Sequence, residues 1–134
     1  MDSLFVGIDW ANQHHDICII HNDGSVFKEF RISNDSDGFP HFDAQLKPFL
    51  KEQILICIET NHGLLFEHLI QFNFRLFPIN PGALVDYRKT DNLAKNKNDK
   101  PDARLLADYI RKDRHRLREH MMNSESTQII KLLT

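Results

Sequence analysis

The chain has 134 residues, 41% hydrophobic and 27% charged, with 17 Lys and Arg against 19 Asp and Glu and a formal net charge of −2. That suits one ordinary globular domain and is too short for a two-lobed enzyme. No apolar run approaches the roughly 20 residues of a membrane span, and Met1-Asp2-Ser3 lacks the basic-then-apolar start of a signal peptide, so neither a membrane nor a secreted protein is expected.

Leu4 to Asp9 and Asp16 to His21 are short apolar runs rich in Ile and Val, and Ser25 to Ile32 alternates through Val26, Phe27 and Phe30. All three read as strands. His21-Asn22-Asp23-Gly24 supplies residues that tolerate the positive φ of a tight hairpin, and Trp10 to His15 is short enough for an antiparallel turn. The opening is expected to be a three-stranded meander.

From Ser36 the period changes. Phe39, Phe42, Leu46, Phe49 and Leu50 fall on one helical face, with Pro40 in the first turn and Pro48 limiting the far end. Gln53 to Glu59 is a nearly unbroken apolar run, the pattern of a strand covered on both faces. Leu64 to Phe72 reads as a helix, Phe74 to Ile79 as a strand and Pro81 to Arg88 as a short helix, giving the order βββαβαβα. The polar, cationic residues 89–98 read as a mobile loop, and Lys100 to about Arg118 as a long helix burying Leu105, Leu106, Tyr109, Ile110 and Leu117. The apolar ending Gln128 to Thr134 has no stop signal, as if cut from a longer protein.

The near-zero total charge hides an asymmetry. Residues 1–87 hold 5 basic and 12 acidic side chains, net −7, whereas residues 88–118 hold 11 basic and 5 acidic, net +6. A polyanion partner leaves such a footprint, and so does a solvated basic helix with no partner. Cys18 and Cys57 each sit inside an apolar run, which fits free thiols in a reducing compartment.

Two acids end hydrophobic strands. A right-handed parallel crossover should lay the strand ending at Glu59 beside the strand ending at Asp9, bringing both carboxylates to the edge where α/β sheets place their ligands. Asp99 and Asp102, three apart at a helix start, project to one side. They also suit capping, with Asp99 at the N-cap, Pro101 in the first turn and Asp102 at N3. Four carboxylates in one place repel strongly unless a cation joins them, and hard oxygen ligands favour Mg²⁺ or Mn²⁺.

Val6-Gly7-Ile8-Asp9-Trp10-Ala11, Ile58-Glu59-Thr60-Asn61-His62-Gly63, Ile79-Asn80-Pro81 and Lys97-Asn98-Asp99-Lys100-Pro101-Asp102-Ala103-Arg104-Leu105-Leu106-Ala107 resemble, in order, the blocks of the DEDD transposases. This is the insertion-sequence family related to pilin-gene invertases. The resemblance implies a ribonuclease-H-like (RuvC-like) α/β domain over residues 1–118, with residues 119–134 beginning a following helical segment. It carries the family's catalytic and metal-ligating acids onto Asp9, Glu59, Asp99 and Asp102, with Mg²⁺ or Mn²⁺ as cofactor. It implies DNA as substrate, a guide RNA, a homo-oligomer in the full-length form and a bacterial cytoplasmic setting. The nucleophilic serine belongs to a downstream domain, so Ser124 and Ser126 are not assigned that role, and the fragment alone is expected to be inactive. Lys89-Thr90-Asp91 resembles the start of the last block but has Ala94 where a second acid should stand, which makes Asp91 a decoy.

Lys89, Lys95, Lys97, Lys100, Arg104 and Arg111 are the candidate nucleic-acid contacts. The histidines show no zinc spacing. His62 stands three residues after Glu59, within reach of a metal or phosphate, although Thr60 or Asn61 capping the next helix is the simpler use of that turn. Trp10 either covers the core edge or touches nucleic acid. Two other readings stay open: a nucleic-acid-binding or oligomerisation module whose acids only cap and solvate, and an actin-like or sugar-kinase-like ATPase lobe. The second is suggested by Gly7-Ile8-Asp9 and a following hairpin, but Trp10-Ala11 replaces the glycine and hydroxyl residues expected near phosphate.

Overall fold

Strand β1 (Leu4–Asp9) is the centre of the fold because it is apolar on both faces and paired along both edges. The structure, a computed structural model, describes residues 3–95 and 101–121, with the side chains of 90–95 left aside. β2 (His14–Ile20) and β3 (Val26–Ser33) complete the expected antiparallel meander, and β4 (Ile54–Ile58) and β5 (Arg75–Pro78) add parallel strands on the other side of β1. The five-stranded mixed sheet runs β3-β2-β1-β4-β5. The β2–β3 turn closes through a hydrogen bond from Gly24 N–H to the His21 carbonyl, with Gly24 at φ 92° and the Asp23 carboxylate accepting from the Ser25 amide and hydroxyl.

Strand alternation divides the core into two layers. Val6, Ile8, Ile17, Ile19, Ile56 and Ile58 pack beneath α1 (Gly38–Leu46) and α2 (Leu64–Gln71), whose Phe42, Leu46, Leu65, Phe66 and Leu69 are buried. Phe5, Cys18, Leu55, Cys57 and Phe77 meet α3 (Pro81–Lys95) and α4 (Asp102–Asp113) on the opposite face. Cys18 and Cys57 both stand opposite Gly7, one on each neighbouring strand. Two ladder spacings, about 9.5 Å, separate them, too far for a disulfide. Burial pushes the Cys18 thiol up to about 12 and Cys57 upward as well.

The larger differences from expectation lie in three helices. α1 stops at Leu46 instead of Leu50: Lys47 still has helical backbone, but Pro48 has no N–H to donate to the carbonyl four residues back, so the helix cannot continue through it. Residues 89–95 continue α3 and are not a loop, since Lys89 to Lys95 contains neither Gly nor Pro and a polar sequence does not by itself end a helix; residues 96–98 of the expected loop lie outside the described residues. α4 begins at Asp102, after Pro101 in extended backbone, and ends at Asp113, followed by a single 3-10 turn at Arg114–Arg116. The chain then runs back along β5, where His120 N–H donates to the Leu76 carbonyl at 2.7 Å and Glu119 pairs with Arg75 at 2.8 Å. Residues 122–134, including Ser124, Ser126 and the apolar ending, lie outside the described residues.

Candidate active site

Gly7 sets the geometry. A Cβ at this position would fall 2.0 Å from the Ala103 carbonyl oxygen and 2.5 Å from the Ala107 nitrogen, so α4 crosses β1 at backbone contact. Ala103 and Ala107, four residues apart, supply the small helix face that this approach needs. Alternation puts Asp9 on the same sheet face as Gly7, and Glu59 on the same face as Cys57, the register partner of Gly7. Asp102 opens α4 immediately before Ala103.

Asp9, Glu59 and Asp102 are thereby brought into one electrostatic neighbourhood. The Asp9 carboxyl is raised above its ordinary value first by burial, then by the charges of Asp102 and Asp16. Glu59 is raised by burial, then by Asp102 and Asp9. Countercharge is limited. Arg88 of α3 donates to Asp102 Oδ1 in a short ion pair, and Arg31 holds Asp16 at 2.7 Å, keeping that carboxyl below its usual range. Among the described residues no three His, Cys, Asp or Glu side chains form a ready-made metal cluster. The all-oxygen donor set suits a hard divalent cation in chemistry, and Arg88 would compete with it for Asp102 through Oδ1.

Capping does not explain Asp102. Pro101 occupies the N-cap and makes no side-chain cap, Asp102 is the first residue of the helix and not its third, and the expected cap residue Asp99 lies outside the described residues. Nor do Thr60 or Asn61 cap α2, whose N-cap is Gly63; the Thr60 hydroxyl instead makes a local turn with His62, accepting from its amide at 3.4 Å. Asp99, Asp91 and Lys97 lie outside the described side chains, as do Lys95 and Lys100.

The turn after Asp9 is fixed by a residue whose role the sequence did not show. Ala11 N–H donates to His15 Nδ1 at 3.2 Å, which leaves the ring proton on Nε2 to donate to Asn34 Oδ1 at 2.9 Å. Asn34 Nδ2 in turn donates to the Asn12 carbonyl at 2.9 Å. His15 is 0% exposed, and burial lowers its pKa, so the ring is a neutral strut. The sequence placed His15 in the turn before the strand, whereas β2 begins at His14 and buries the ring, which a polar residue tolerates when both nitrogens are partnered.

Beyond Glu59 opens a cleft of about 620 Å³ lined by Trp10, Asn61, His62, Asn80 and Pro81. Trp10 lies edge-on to His62, with centroids 6.0 Å apart, and Gly63, at φ 103°, leaves room beside its indole nitrogen. Asn80 caps α3, accepting from Ala83 N–H at 3.1 Å. Of the basic candidates, Arg104 forks onto Glu29 of β3 at 2.9 and 3.2 Å, Arg111 pairs with Asp108 at 2.9 Å, and Lys89 is exposed on α3.

An acid-edged mixed α/β domain with these blocks has counterparts among transposases. The family model described as transposase, DEDD_Tnp_IS110, matches residues 6–134, and the chain belongs to that family. It is 35% identical, over 98% of its length, to a Streptomyces coelicolor protein named as the mini-circle transposase for IS117. It is 28% identical, over 81% of its length, to a Sinorhizobium fredii protein named as transposase y4uE. The chain spans about a third of the length of these relatives, 32% of each. No helix among the described residues is long and apolar enough to cross a membrane.

Proposed function

We propose that this chain is the metal-dependent catalytic domain of a DNA transposase or site-specific recombinase, with a ribonuclease-H-like fold over residues 1–118 and a following segment from 119. The convergence of Asp9, Glu59 and Asp102 at the carboxyl edge of two parallel strands carries the reading. The strand order, with an antiparallel meander joined to parallel strands, supports the fold. Asp9, Glu59, Asp99 and Asp102 would hold Mg²⁺ or Mn²⁺, which when bound supplies positive charge to a phosphodiester and to the oxygen attacking it. The protein's own part is to keep carboxylates close in spite of repulsion. Gly7 seats α4, His15 fixes the turn, and Arg88 offsets the charge of Asp102.

Lys89, Lys95, Lys97, Lys100, Arg104 and Arg111 would contact the nucleic acid, Arg111 from the far end of α4. The family resemblance extends the proposal to a guide RNA, to a homo-oligomer of the full-length protein and to a downstream serine without which the fragment is inactive. The Arg88–Asp102 ion pair favours a second reading, a nucleic-acid-binding module whose acids are structural. Calorimetric titration of MnCl₂ separates them. Wild type should release binding heat that Asp9→Asn, Glu59→Gln and Asp99→Ala each abolish; identical heats in all four chains would sink the catalytic reading.

A further inference from the structure

We propose that the pole of the domain opposite the carboxylates carries a second, metal-independent anchor for nucleic acid: a pocket at the carboxyl end of α4 that takes a backbone phosphate. The inference deepens the transposase reading and rests on it for the identity of the polymer. A concavity of about 340 Å³ is lined by Ser3, Asn22, Arg111, Lys112, Arg114 and His115. Ser3 precedes β1 and Asn22 sits in the β2–β3 turn, so this is the amino-terminal end of β1, away from Asp9.

Arg111 is built into the pocket. Its guanidinium lies over Gly24, where a Cβ would stand 3.0 Å from Nη2, so a positive-φ glycine leaves the space that the group fills. Nη2 donates to Asp108 Oδ1 at 2.9 Å, while Nε is buried with no hydrogen-bond partner in the structure. The buried Nε is covered and out of reach, but the guanidinium as a whole, 23% exposed, brings its charge to a cationic concavity where a phosphate oxygen can meet it. Charge agrees. Asp108 already serves both Arg111 and Lys112, the latter at 3.2 Å. Asp23 is engaged by Ser25 and Glu119 by Arg75. Residues 111–118 hold five Lys and Arg against Asp113 alone.

Cations at a helix carboxyl end also complement its dipole, which accounts for Arg111 and Lys112. Arg114, the C-cap residue of α4, extends that cluster: it is exposed, its carbonyl accepts from Leu117 N–H at 3.0 Å, and its guanidinium, in the field of Glu119, makes no side-chain hydrogen bond or ion pair among the described residues. From Asp102 to Arg114 the chain advances about 18 Å at 1.5 Å per residue. That is about five base-pair steps of a duplex at 3.4 Å each. A nucleic acid gripped at this pole therefore reaches the acidic edge within half a turn.

Fluorescence anisotropy with a labelled DNA duplex and a labelled RNA strand of the same sequence, both in EDTA, tests the pocket. Lys112→Gln/Arg114→Gln should bind about tenfold more weakly, with the log–log salt slope for duplex shallower by about 1.8 for two lost phosphate contacts. Lys28→Gln/Lys47→Gln, which removes the same charge from the α1 side, should bind as wild type. Weakening toward duplex supports a DNA anchor, and weakening toward the RNA strand alone supports an RNA anchor. Equal affinities of the two double variants, or binding that requires Mn²⁺, would overturn the proposal. Mn²⁺ calorimetry on Lys112→Gln/Arg114→Gln reads the acidic edge separately, so failure of one site is distinguishable from failure of the other.

Discussion

Gly7 and Ala103 meet with no space for a methyl group between them, the built Cβ of residue 7 lying 2.0 Å from the Ala103 carbonyl oxygen. Because the obstacle is backbone, α4 must move as a body if residue 7 gains a side chain. Gly7→Ala should cost about 3 kcal/mol or more of stability, at the upper end of overpacking penalties. Urea unfolding should show a lower midpoint with an unchanged slope. Mn²⁺ binding should weaken too, since Asp102 travels with α4; full retention of both would contradict the role given to this contact.

Asp9 and Glu59 are raised in the fold, so ionising them opposes folding. The folded chain holds these protons more tightly than the unfolded one, and their contribution to stability declines as pH rises from the unfolded carboxylate range through the raised values. In EDTA at pH 7, Asp9→Asn and Glu59→Gln should therefore each raise the melting temperature, the gain shrinking toward pH 4. With MnCl₂ the order should reverse, because only the wild type gains from binding.

The His15 strut has the opposite pH sign. Its folded pKa is lowered, so the unfolded chain takes up a proton that the folded ring refuses, and stability falls as pH drops below about 6.5, the unperturbed value. The His15 ring resonances should be those of a neutral Nε2–H tautomer at pH 7.5 and should titrate at lower pH than an unfolded-chain histidine. His15→Leu should lose about 2–4 kcal/mol, since it orphans the Ala11 amide and the Asn34 carbonyl oxygen.

Arg88 pairs with one oxygen of the Asp102 carboxylate and so competes for charge with a metal ion there. Arg88→Gln should tighten Mn²⁺ binding several-fold in calorimetry. Weaker binding would mean instead that Arg88 positions Asp102 for the ion.

Arg104 and Glu29 form a forked pair that remains more than a third exposed on each side. Water screens it, so Arg104→Gln should change stability by less than about 1 kcal/mol. A larger loss in urea unfolding would show that the fork ties α4 to β3 more firmly than solvent screening allows.

The meander, the β1–β4 pairing and the two-sided burial of β4 were legible in the sequence because period-two and all-apolar patterns report directly on which faces are covered. The Gly7 contact was not. Glycine in a strand announces only that something comes close, and its partner, Ala103, lies 96 residues away. The continuation of α3 to Lys95 was hidden by polarity, which reports solvent contact and not backbone geometry. Asp9 and Glu59 could be paired from topology, whereas the approach of Asp102 depended on where α4 packs. His15 was invisible for a different reason: a buried polar residue is explained by its partners, and Asn34 is distant in the chain.

The return of residues 117–121 along β5 also bears on how the molecule keeps to itself. With Glu119 on Arg75 and His120 on the Leu76 carbonyl, that flank of the sheet is bolted shut, while on the other flank β3 presents Lys28, Glu29 and Arg31 to a would-be neighbour. One border is guarded by a strap and the other by charge. Shortening the chain to end at Arg116 would strip the strap and leave β5 as a bare template for strand pairing, so removing these 18 residues, none of them a candidate metal ligand, should make the domain self-associate.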